Sequence, residues 1–297
     1  MRILQVSLGK QEDIRDAFQT LGEVIYWDWS GRDRTFNQDI RALVDKHNPD
    51  LVWLQIQTPG IISVETAKYI SSKAKVVNWT GDVRLNNDWF IQIGRHIHLT
   101  LFTNMHDVEQ MRRHGVRSEY LQIGFPDKIF TPVGEAKECP EIIYMANYTA
   151  GFPLSNYRKQ MVEYLKQKYG NRFAVYGNSW GWCYSVPDQH EEARFYRGCK
   201  IAINLSHFNY SRYSSDRIFR LMGAGAFCLS QNYTDIDKEF EVKKHLDIWD
   251  TLDGLTFKID YYLQNEEERK IIAEQGCKHV HEYCKWKNRI EQLKQLL

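Results

Sequence analysis

The chain has 297 residues, with 39 lysines and arginines against 38 aspartates and glutamates, and a net charge of +1 at pH 7. This length exceeds the roughly 100–200 residues usual for one domain, so two domains of about 140 residues each are expected. The even charge excludes a broadly basic surface for nucleic acid. No apolar run reaches the roughly 18 residues of a membrane helix, so we expect a cytoplasmic protein without membrane insertion.

The six cysteines contain no CxxC pair, which favours reduced, structural thiols over a disulfide framework or a metal site. They are Cys139, Cys183, Cys199, Cys228, Cys277 and Cys284. Cys277 and Cys284 stand seven residues apart on a predicted helix and share a face, but a metal role for two thiols alone is a weak hypothesis. We therefore expect no metal site.

The first half of the chain alternates short apolar strands with helical segments. Strands are predicted at 2–6, 23–27, 51–56, 75–79, 98–104 and 118–123, and helices at 11–21, 36–47, 63–72 and 104–114. This alternation is typical of a parallel sheet with helices on both faces. Residues that reach a ligand are then expected just past the carboxyl ends of the strands.

The sharpest polar cluster of this half is NWTGDVRLNND, which follows the strand KVVNW. Gly81 permits a tight turn, after which Asp82 projects from the carboxyl end of the strand. Such an aspartate can act as a general base toward an acceptor hydroxyl or orient it, with Arg84 as its partner. In the alternative interpretation, Asp82 only caps the following segment.

Two weaker signals lie at the ends of other strands in this half. Gly9 and Lys10 follow the first strand and form a glycine turn that can approach a phosphate, although the segment is far from a GxxxxGK[ST] loop. Thr103 ends the strand HLTLFTN. We assign Gly9, Lys10 and Thr103, like Arg84, to the part of the site that would hold an acceptor molecule.

Residues 124–140 contain three of the seven prolines and show neither helical nor strand periodicity, so they are predicted to be a linker. A second alternating set follows. Its strands are predicted at 141–147, 172–177, 200–206, 226–230 and 245–249, and its helices at 153–168, 188–197, 215–223, 251–264 and 267–295. The sequence therefore predicts Rossmann-like domains at 1–123 and 141–297, the second ending in a long helix, which face each other across a cleft.

The segment YSSDRIFRLMGAGAFCLSQNY, residues 213–233, combines a polar turn, an amphipathic helix, a small-residue stop and a buried strand. Ser214, Ser215 and Asp216 are residue types that cap helices, and the free amides behind a cap form an anion site. Arg217 adds a fixed positive charge. This turn is predicted to bind a phosphate group.

Residues 141–297 resemble the GT-B glycosyltransferases, specifically the CgeB-like branch of the group 1 family. The resemblance lies in the segments IIYMANY, FAVYGNSWG, YRGCKIAINLSHF and YSSDRIFRLMGAGAFCLS, and in the tail that starts at HLDIW. In the N-terminal half it covers only the architecture and the linker LQIGFPDKIFTP. It implies transfer of a sugar from a nucleotide-diphospho-sugar, held mainly by the C-terminal domain, to an acceptor held mainly by the N-terminal domain.

The resemblance also implies which residues contact the donor and that no metal or other cofactor is required. Ser214, Ser215 and Arg217 fall on the phosphate-facing turn, and Gly177 and Asn178 on the turn near the nucleotide. Asn147 and Tyr148 fall on a loop that faces the ligand. Tyr148 or Trp180 would stack on the base. A helix start plus an arginine can neutralise a leaving diphosphate without a cation, which agrees with a metal-independent reaction.

One departure from related retaining families concerns two glutamates eight positions apart. Here their positions hold Arg212 and Arg220. A guanidinium only donates hydrogen bonds and cannot replace a carboxylate that accepts them from a ribose. We expect Arg212 to add to phosphate binding instead, and the sequence decides neither retention nor inversion of configuration.

Two short motifs are given non-catalytic interpretations. Asp235-Ile236-Asp237 has the DxD pattern of metal-diphosphate sites but starts an acidic helix-like stretch, which favours capping. GAGAF ends a helix where GxGxxG would begin one, which argues against a nicotinamide cofactor.

Two alternative functions remain open. One is transfer to hydroxymethylated pyrimidines in DNA, as in phage enzymes of this fold, with a basic rim on the N-terminal domain. Its candidate residues are Arg32, Arg34, Arg112, Arg113 and Arg117. The other is a non-catalytic module that binds nucleotides or sugars, which the missing glutamates favour.

Overall fold

The computed structural model describes residues 1–181 and 188–297, which form two compact units. Unit 1 comprises Met1–Ile123 and Trp286–Leu297, and unit 2 comprises Gly124–Lys285. Each unit is built on one parallel sheet. The predicted α/β class with two Rossmann-like sheets is confirmed.

Residues 1–123 contain six strands and five helices. The strands are β1 (Arg2–Ser7), β2 (Glu23–Asp28), β3 (Leu51–Leu54), β4 (Lys75–Thr80), β5 (Leu99–Phe102) and β6 (Ser118–Tyr120). The helices are α1 (Glu12–Gln19), α2 (Phe36–His47), α3 (Val64–Ser71), α4 (Asp88–Gly94) and α5 (Met105–Arg113). The strand order is β2-β1-β3-β4-β5-β6.

In the described part of unit 2, the strands are β7 (Ile142–Met145), β8 (Phe173–Tyr176), β9 (Ile201–Asn204), β10 (Cys228–Gln231) and β11 (Asp247–Trp249). The helices are α6 (Ser155–Tyr169), α7 (Gln189–Gly198), α8 (Arg217–Gly223), α9 (Leu252–Gln264) and α10 (Glu266–Tyr283). Short 3-10 turns span Gly170–Arg172 and Ile236–Lys238. The strand order is β11-β10-β9-β7-β8, which brings the ends of β9, β7 and β8 side by side.

The strands are almost continuously apolar because both faces of each sheet are covered. In β1, Leu4 and Val6 lie in one core with α2 and α3, while Ile3 lies in the core on the opposite face with α1. Polar residues at the ends of these strands therefore depart from the apolar pattern and are candidates for a functional site.

The last helix, α11 (Trp286–Leu296), belongs to unit 1, whereas the sequence predicted one long helix, 267–295, in the C-terminal domain. In the structure, α10 ends at Tyr283 and α11 starts at Trp286, so the predicted helix is two helices. The Trp286 ring meets the buried Trp79 ring edge to face at 5.1 Å, and Ile290 and Leu293 are fully buried in the same core. The apolar stripe of α11 completes the α1 side of unit 1.

Residues 124–140, predicted as a linker, lie within unit 2. Phe125 and Phe130 are fully buried, and the Lys137 amide donates to the Arg194 carbonyl at 2.9 Å. The segment 124–140 is therefore packed into unit 2 through the buried Phe125 and Phe130, whereas its prolines had predicted only a linker.

Within the described ranges, none of the helices is both long and apolar enough to cross a membrane. The five cysteines of these ranges are all free thiols, whereas Cys183 lies outside the described residues.

Replacing Trp286 by alanine should destabilise the protein by about 3–5 kcal/mol, the usual cost of deleting a large buried aromatic side chain. The matched control is Lys287→Ala on the exposed face of the same helix, expected to change stability by less than about 0.5 kcal/mol. Urea unfolding, followed by tryptophan fluorescence and circular dichroism, measures both. Equal effects of the two substitutions would contradict the assignment of α11 to the core of unit 1.

Candidate functional site

The candidate site of unit 2 lies where β7, β8 and β9 end, and two loops are tied together there. The Tyr148 amide donates to the Asn178 carbonyl at 2.9 Å, and the Asn178 amide donates to Asn147 Oδ1 at 2.8 Å. A Cβ on Gly177 would lie 1.9 Å from the Ala146 carbonyl oxygen, so only glycine permits this approach. The two loops therefore bring together four residues that were predicted to lie near the donor, namely Asn147, Tyr148, Gly177 and Asn178.

An aromatic cavity adjoins this loop pair. The Tyr148 and Trp180 rings lie 5.2 Å apart at 49°, and the Trp180 indole N–H donates to the Ala146 carbonyl. The cavity has a volume of about 160 Å³, and its wall is completed by α6 residues including Lys159 and Glu163. It offers a flat aromatic surface with one charge of each sign.

Arg217 lies beneath the ends of β7 and β9, and the residue is only 8% exposed. Its Nε donates to the Met145 carbonyl, and its Nη1 donates to the Leu205 carbonyl at 3.1 Å and to Asn204 Oδ1 at 3.2 Å. The predicted phosphate-binding arginine is therefore also a brace that fixes the ends of two strands.

A second arginine, Arg158 on the first turn of α6, is completely buried beside Arg217. Its Nε donates to the Tyr144 hydroxyl at 2.7 Å, and its Nη2 donates to the Asn147 carbonyl at 3.0 Å. The Tyr144 hydroxyl donates in turn to the Leu205 carbonyl, which also accepts from Arg217. Tyr144 thus connects the two guanidinium groups.

No carboxylate of the described residues is in salt-bridge contact with Arg158 or Arg217. Burial and the nearby Arg217 charge lower the pKa of Arg158 from its ordinary value. A buried charge without a counter-charge costs several kcal/mol, and here two lie together. The ring of His207 also contacts Arg158, with 2.7 Å between His207 Nδ1 and Arg158 Nη1. We call Arg158, Arg217, Tyr144 and His207 the arginine cluster, and its positive charge favours an anion at this end of the sheet.

The turn before α8 differs from the predicted helix cap. Helix α8 begins at Arg217, and no side chain of Ser214, Ser215 or Asp216 caps it. Ser214 is buried, whereas the Ser215 amide donates to Ser206 Oγ at 3.3 Å. The Ser215 hydroxyl is buried and has no hydrogen-bond partner among the described residues. The capping prediction was wrong because the first amides of α8 bind backbone carbonyls instead.

The two arginines that replace the expected glutamates are both engaged in ion pairs. Arg212 binds Glu239, while Arg220 binds Glu192 and Asp216, each at 2.9 Å. Burial raises the pKa of Glu192, and the Arg220 charge opposes that effect. The Arg220–Glu192 pair holds α8 to α7. Among the described residues, neither Arg158 nor Arg217 has such an ion pair.

In unit 1, Asp82 lies just past β4, as predicted, and its side chain is 71% exposed. The Asp82 amide donates to Gln57 Oε1 at 2.9 Å, which fixes the loop. Arg84 donates to Thr80 Oγ1, the Asp82 carbonyl and the Gln57 carbonyl. Its Nη2 also lies 3.7 Å from Asp82 Oδ2, so the predicted pairing of Asp82 with Arg84 is present. Thr103 is buried and donates to the Gly81 carbonyl at 3.2 Å. Arg84 and Thr103 therefore support the loop, and the Asp82 carboxylate is an exposed acidic group on it.

The Gly9 loop has its own bonding pattern. The Gly9 amide donates to Asp28 Oδ1 at 3.0 Å and to Ser30 Oγ at 3.2 Å, and its carbonyl accepts from the Tyr26 hydroxyl. Lys10 is exposed. The Gly9 amide is thus occupied by the protein itself, and Lys10 is the group of this loop that can meet an anion.

The arginines considered for DNA binding fall into two separate groups. Arg32 and Arg34 follow the edge strand β2, whereas Arg112, Arg113 and Arg117 surround α5 near the opposite edge of the sheet. Arg112 also pairs with Glu119 at 2.6 Å. These residues do not form one continuous rim.

The DxD aspartates do not form a recognisable metal site. Asp235 accepts a hydrogen bond from the Ser211 hydroxyl, and its side chain caps no helix. In the part of the chain that the structure describes, no three histidine, cysteine or acidic side chains are placed to hold a metal ion. Metal independence itself stays a prediction.

Sequence reasoning missed Arg158, His207 and Tyr144. Arg158 shares a helical face with the buried Met161, Val162 and Leu165, so a charge on an apolar stripe was the available signal. Its pairing with His207, which follows β9, depends on two segments distant in sequence.

Residues 158–295 match a protein family described as glycosyl transferase-like. Among solved structures, the chain is similar to the HepE protein of Anabaena in complex with UDP and glucose, with a TM-score of 0.66, 10% identity and coverage of 100% of this chain and 99% of that one. It is also similar to sucrose-phosphate synthase from Thermosynechococcus elongatus, with a TM-score of 0.64, 11% identity and coverage of 100% and 98%.

A glycosyltransferase from Rickettsia africae gives a TM-score of 0.63 at 12% identity, with coverage of 99% and 97%. No curated protein matches the sequence. The chain therefore has the GT-B fold of these structures, and its segment 158–295 is similar to the glycosyl transferase-like family. The match is to the broad family, so the CgeB-like branch stays a prediction.

Replacing Tyr144 by phenylalanine should destabilise the protein by about 1–3 kcal/mol, because Arg158 Nε would lose its buried acceptor. The control is Tyr157→Phe, whose hydroxyl makes only a 3.4 Å contact with the Asp250 carbonyl and should matter by less than about 0.5 kcal/mol. Urea unfolding measures both free energies. A Tyr144→Phe protein as stable as the control would show that the arginine cluster does not depend on this hydroxyl.

Proposed function

We propose that the protein transfers a sugar from a nucleotide-diphospho-sugar to a hydroxyl acceptor, and that the donor diphosphate binds over the arginine cluster of unit 2. The observation that carries the proposal is the burial of Arg158 and Arg217 side by side without a carboxylate in contact. The family match and the fold support sugar transfer in general.

A diphosphate suits this cluster in charge and in place. Arg217 is the more accessible cation, and the completely buried Arg158 acts through its field, which is strong in the low dielectric of the interior. The unpartnered Ser215 hydroxyl is a ready hydrogen-bond donor for a phosphate oxygen. The diphosphate thus lies against residues 214–217, as the sequence predicted, but is held mainly by guanidinium charge instead of helix amides.

In this proposal, the nucleoside lies toward the two loops that Asn147 and Asn178 connect. The Tyr148 ring is partly exposed and tilted against Trp180, which gives a base an aromatic surface beside the diphosphate. The HepE structure contains UDP and glucose, and this likeness supports UDP-glucose as the first donor to test.

The arginine cluster also suits the chemistry. When the bond between the sugar carbon and the diphosphate oxygen breaks, negative charge grows on the leaving diphosphate, and fixed guanidinium groups stabilise it without reorganising. A metal ion is therefore not required in this proposal. The acceptor oxygen forms the new bond to the sugar carbon, and its proton goes to a base, for which the exposed Asp82 carboxylate is our candidate.

Replacing Arg217 by methionine should weaken UDP binding at least tenfold, because the guanidinium that contacts the diphosphate in this proposal is lost. Arg172→Met is the matched control: this exposed arginine pairs with Glu141 and precedes the opposite, amino end of β8. Isothermal titration calorimetry with UDP gives both affinities, and circular dichroism checks folding. The phosphate site lies elsewhere if the Arg217→Met protein binds UDP as tightly as the control.

Replacing Asp82 by asparagine should reduce release of nucleoside diphosphate at least a hundredfold and leave UDP affinity unchanged, because a positioned base contributes about 10²–10⁴ to rate. Asp88→Asn, an exposed carboxylate at the start of α4, is the control. The assay uses a panel of UDP-, GDP- and TDP-sugars with and without EDTA, which should not change the rate.

Two results would count against this account. If the wild-type protein binds UDP but releases no diphosphate from any donor, it is a binding module and not an enzyme. If Asp82→Asn and Asp88→Asn turn over equally fast, Asp82 is not the base.

A further inference from the structure

His207 occupies the point where two loops of the arginine cluster meet. Its carbonyl accepts from the Leu154 amide at 3.0 Å, and its ring packs against the Phe152 ring with centroids 5.0 Å apart. Arg158 Nη1 lies 2.7 Å from His207 Nδ1 and also contacts Nε2. The imidazole therefore touches both the loop before α6 and the guanidinium at its start.

The contact defines the charge of the imidazole. A guanidinium only donates hydrogen bonds, so a ring nitrogen of His207 must accept, and an imidazolium has no free acceptor. Burial first, and then the charges of Arg158 and Arg217, lower the pKa of His207 to about 3. The charged and titratable groups around it are Arg158 on α6 and Arg217 on α8, with Tyr144 and Tyr213 beside Arg158.

We propose that His207 is a positioning residue of the donor site: its neutral ring accepts the Arg158 hydrogen bond and holds that guanidinium at the end of β7, behind the donor diphosphate. The inference rests on the proposed function, because it assigns a role within the same site. Nε and Nη2 of Arg158 are held by Tyr144 and Asn147, so His207 completes the set by taking Nη1.

The consequence is that the cluster stays at two positive charges, not three. A protonated His207 would lose its acceptor nitrogen and add a third cation beside two buried ones, which both hydrogen bonding and electrostatics oppose. The site therefore keeps a fixed charge over the pH range in which histidines ordinarily titrate, and the charge available to the diphosphate does not vary with pH near 6.5.

The first test compares His207→Leu with His207→Asn, which offers an amide oxygen as a neutral acceptor. His207→Leu should bind UDP-glucose at least tenfold more weakly at pH 8, as expected for losing one hydrogen bond to a charged group, and His207→Asn should restore most of the affinity. Uridine, which lacks the diphosphate, should bind all three proteins equally. Titration calorimetry measures UDP-glucose binding, and ligand-observed NMR measures uridine binding.

Each outcome of this comparison is informative. A His207→Leu protein with wild-type affinity for UDP-glucose overturns the inference, as does an equal loss for uridine, which would indicate general damage to the fold. Failure of the wild-type protein to bind UDP-glucose or UDP would instead overturn the proposed function.

The second test uses the ring shifts of His207 in the free protein, followed by NMR from pH 8 to pH 5 and assigned with the His207→Asn variant. The imidazole should stay neutral throughout this range, whereas exposed histidines titrate near 6.5. Titration of His207 near 6.5 would overturn the inference without any reference to ligand binding.

Discussion

The burial of two guanidinium groups without a carboxylate in contact is the constraint on which the rest of unit 2 depends. Arg158 and Arg217 are held by backbone carbonyls, a tyrosine hydroxyl, an asparagine and a histidine, all of which satisfy hydrogen bonds without cancelling charge. Hydrogen bonds alone do not remove the cost of a buried charge. In the proposed function, a bound diphosphate supplies the negative charge that the protein itself does not place against these two guanidinium groups.

The surrounding structure keeps other charges from neutralising this pair. Arg220 stands where related families carry a glutamate, and it binds both Glu192 and Asp216. Arg212 is likewise occupied by Glu239. These ion pairs hold the nearby carboxylates on other cations, so Glu192, Asp216 and Glu239 do not neutralise the charges of Arg158 and Arg217.

The fold was largely predictable because apolar strands and amphipathic helices alternate so regularly. Helix α4 was missed because its residues follow a polar, turn-like stretch, although Phe90, Ile91 and Ile93 bury one face of it. The break before Trp286 was also missed. Helical periodicity continues on both sides of Cys284 and Lys285, and only the tertiary contact with Trp79 shows that α11 packs in the core of unit 1.

The candidate site residues of unit 2 came from the family resemblance, and the structure brings four of them together. Asn147, Tyr148, Gly177 and Asn178 lie on two loops that hydrogen bonds join at the ends of β7 and β8. The sequence does not show that Arg217 braces two strand ends or that it lies beside Arg158, because the two residues are 59 positions apart and only the folded sheet brings them together. Caps were expected on α8 from residue type, whereas local backbone bonds satisfy its first amides. The sequence thus indicates which strand ends carry polar residues, but it does not indicate which buried charges lack a carboxylate partner.

A crystal structure of the protein with UDP-glucose tests the central claim most directly. We predict that the diphosphate lies at the ends of β7 and β9, in contact with the Arg217 guanidinium and the Ser215 hydroxyl, with Arg158 and His207 in their present positions behind it. A diphosphate bound elsewhere, with no ligand atom near Arg217, would contradict the account.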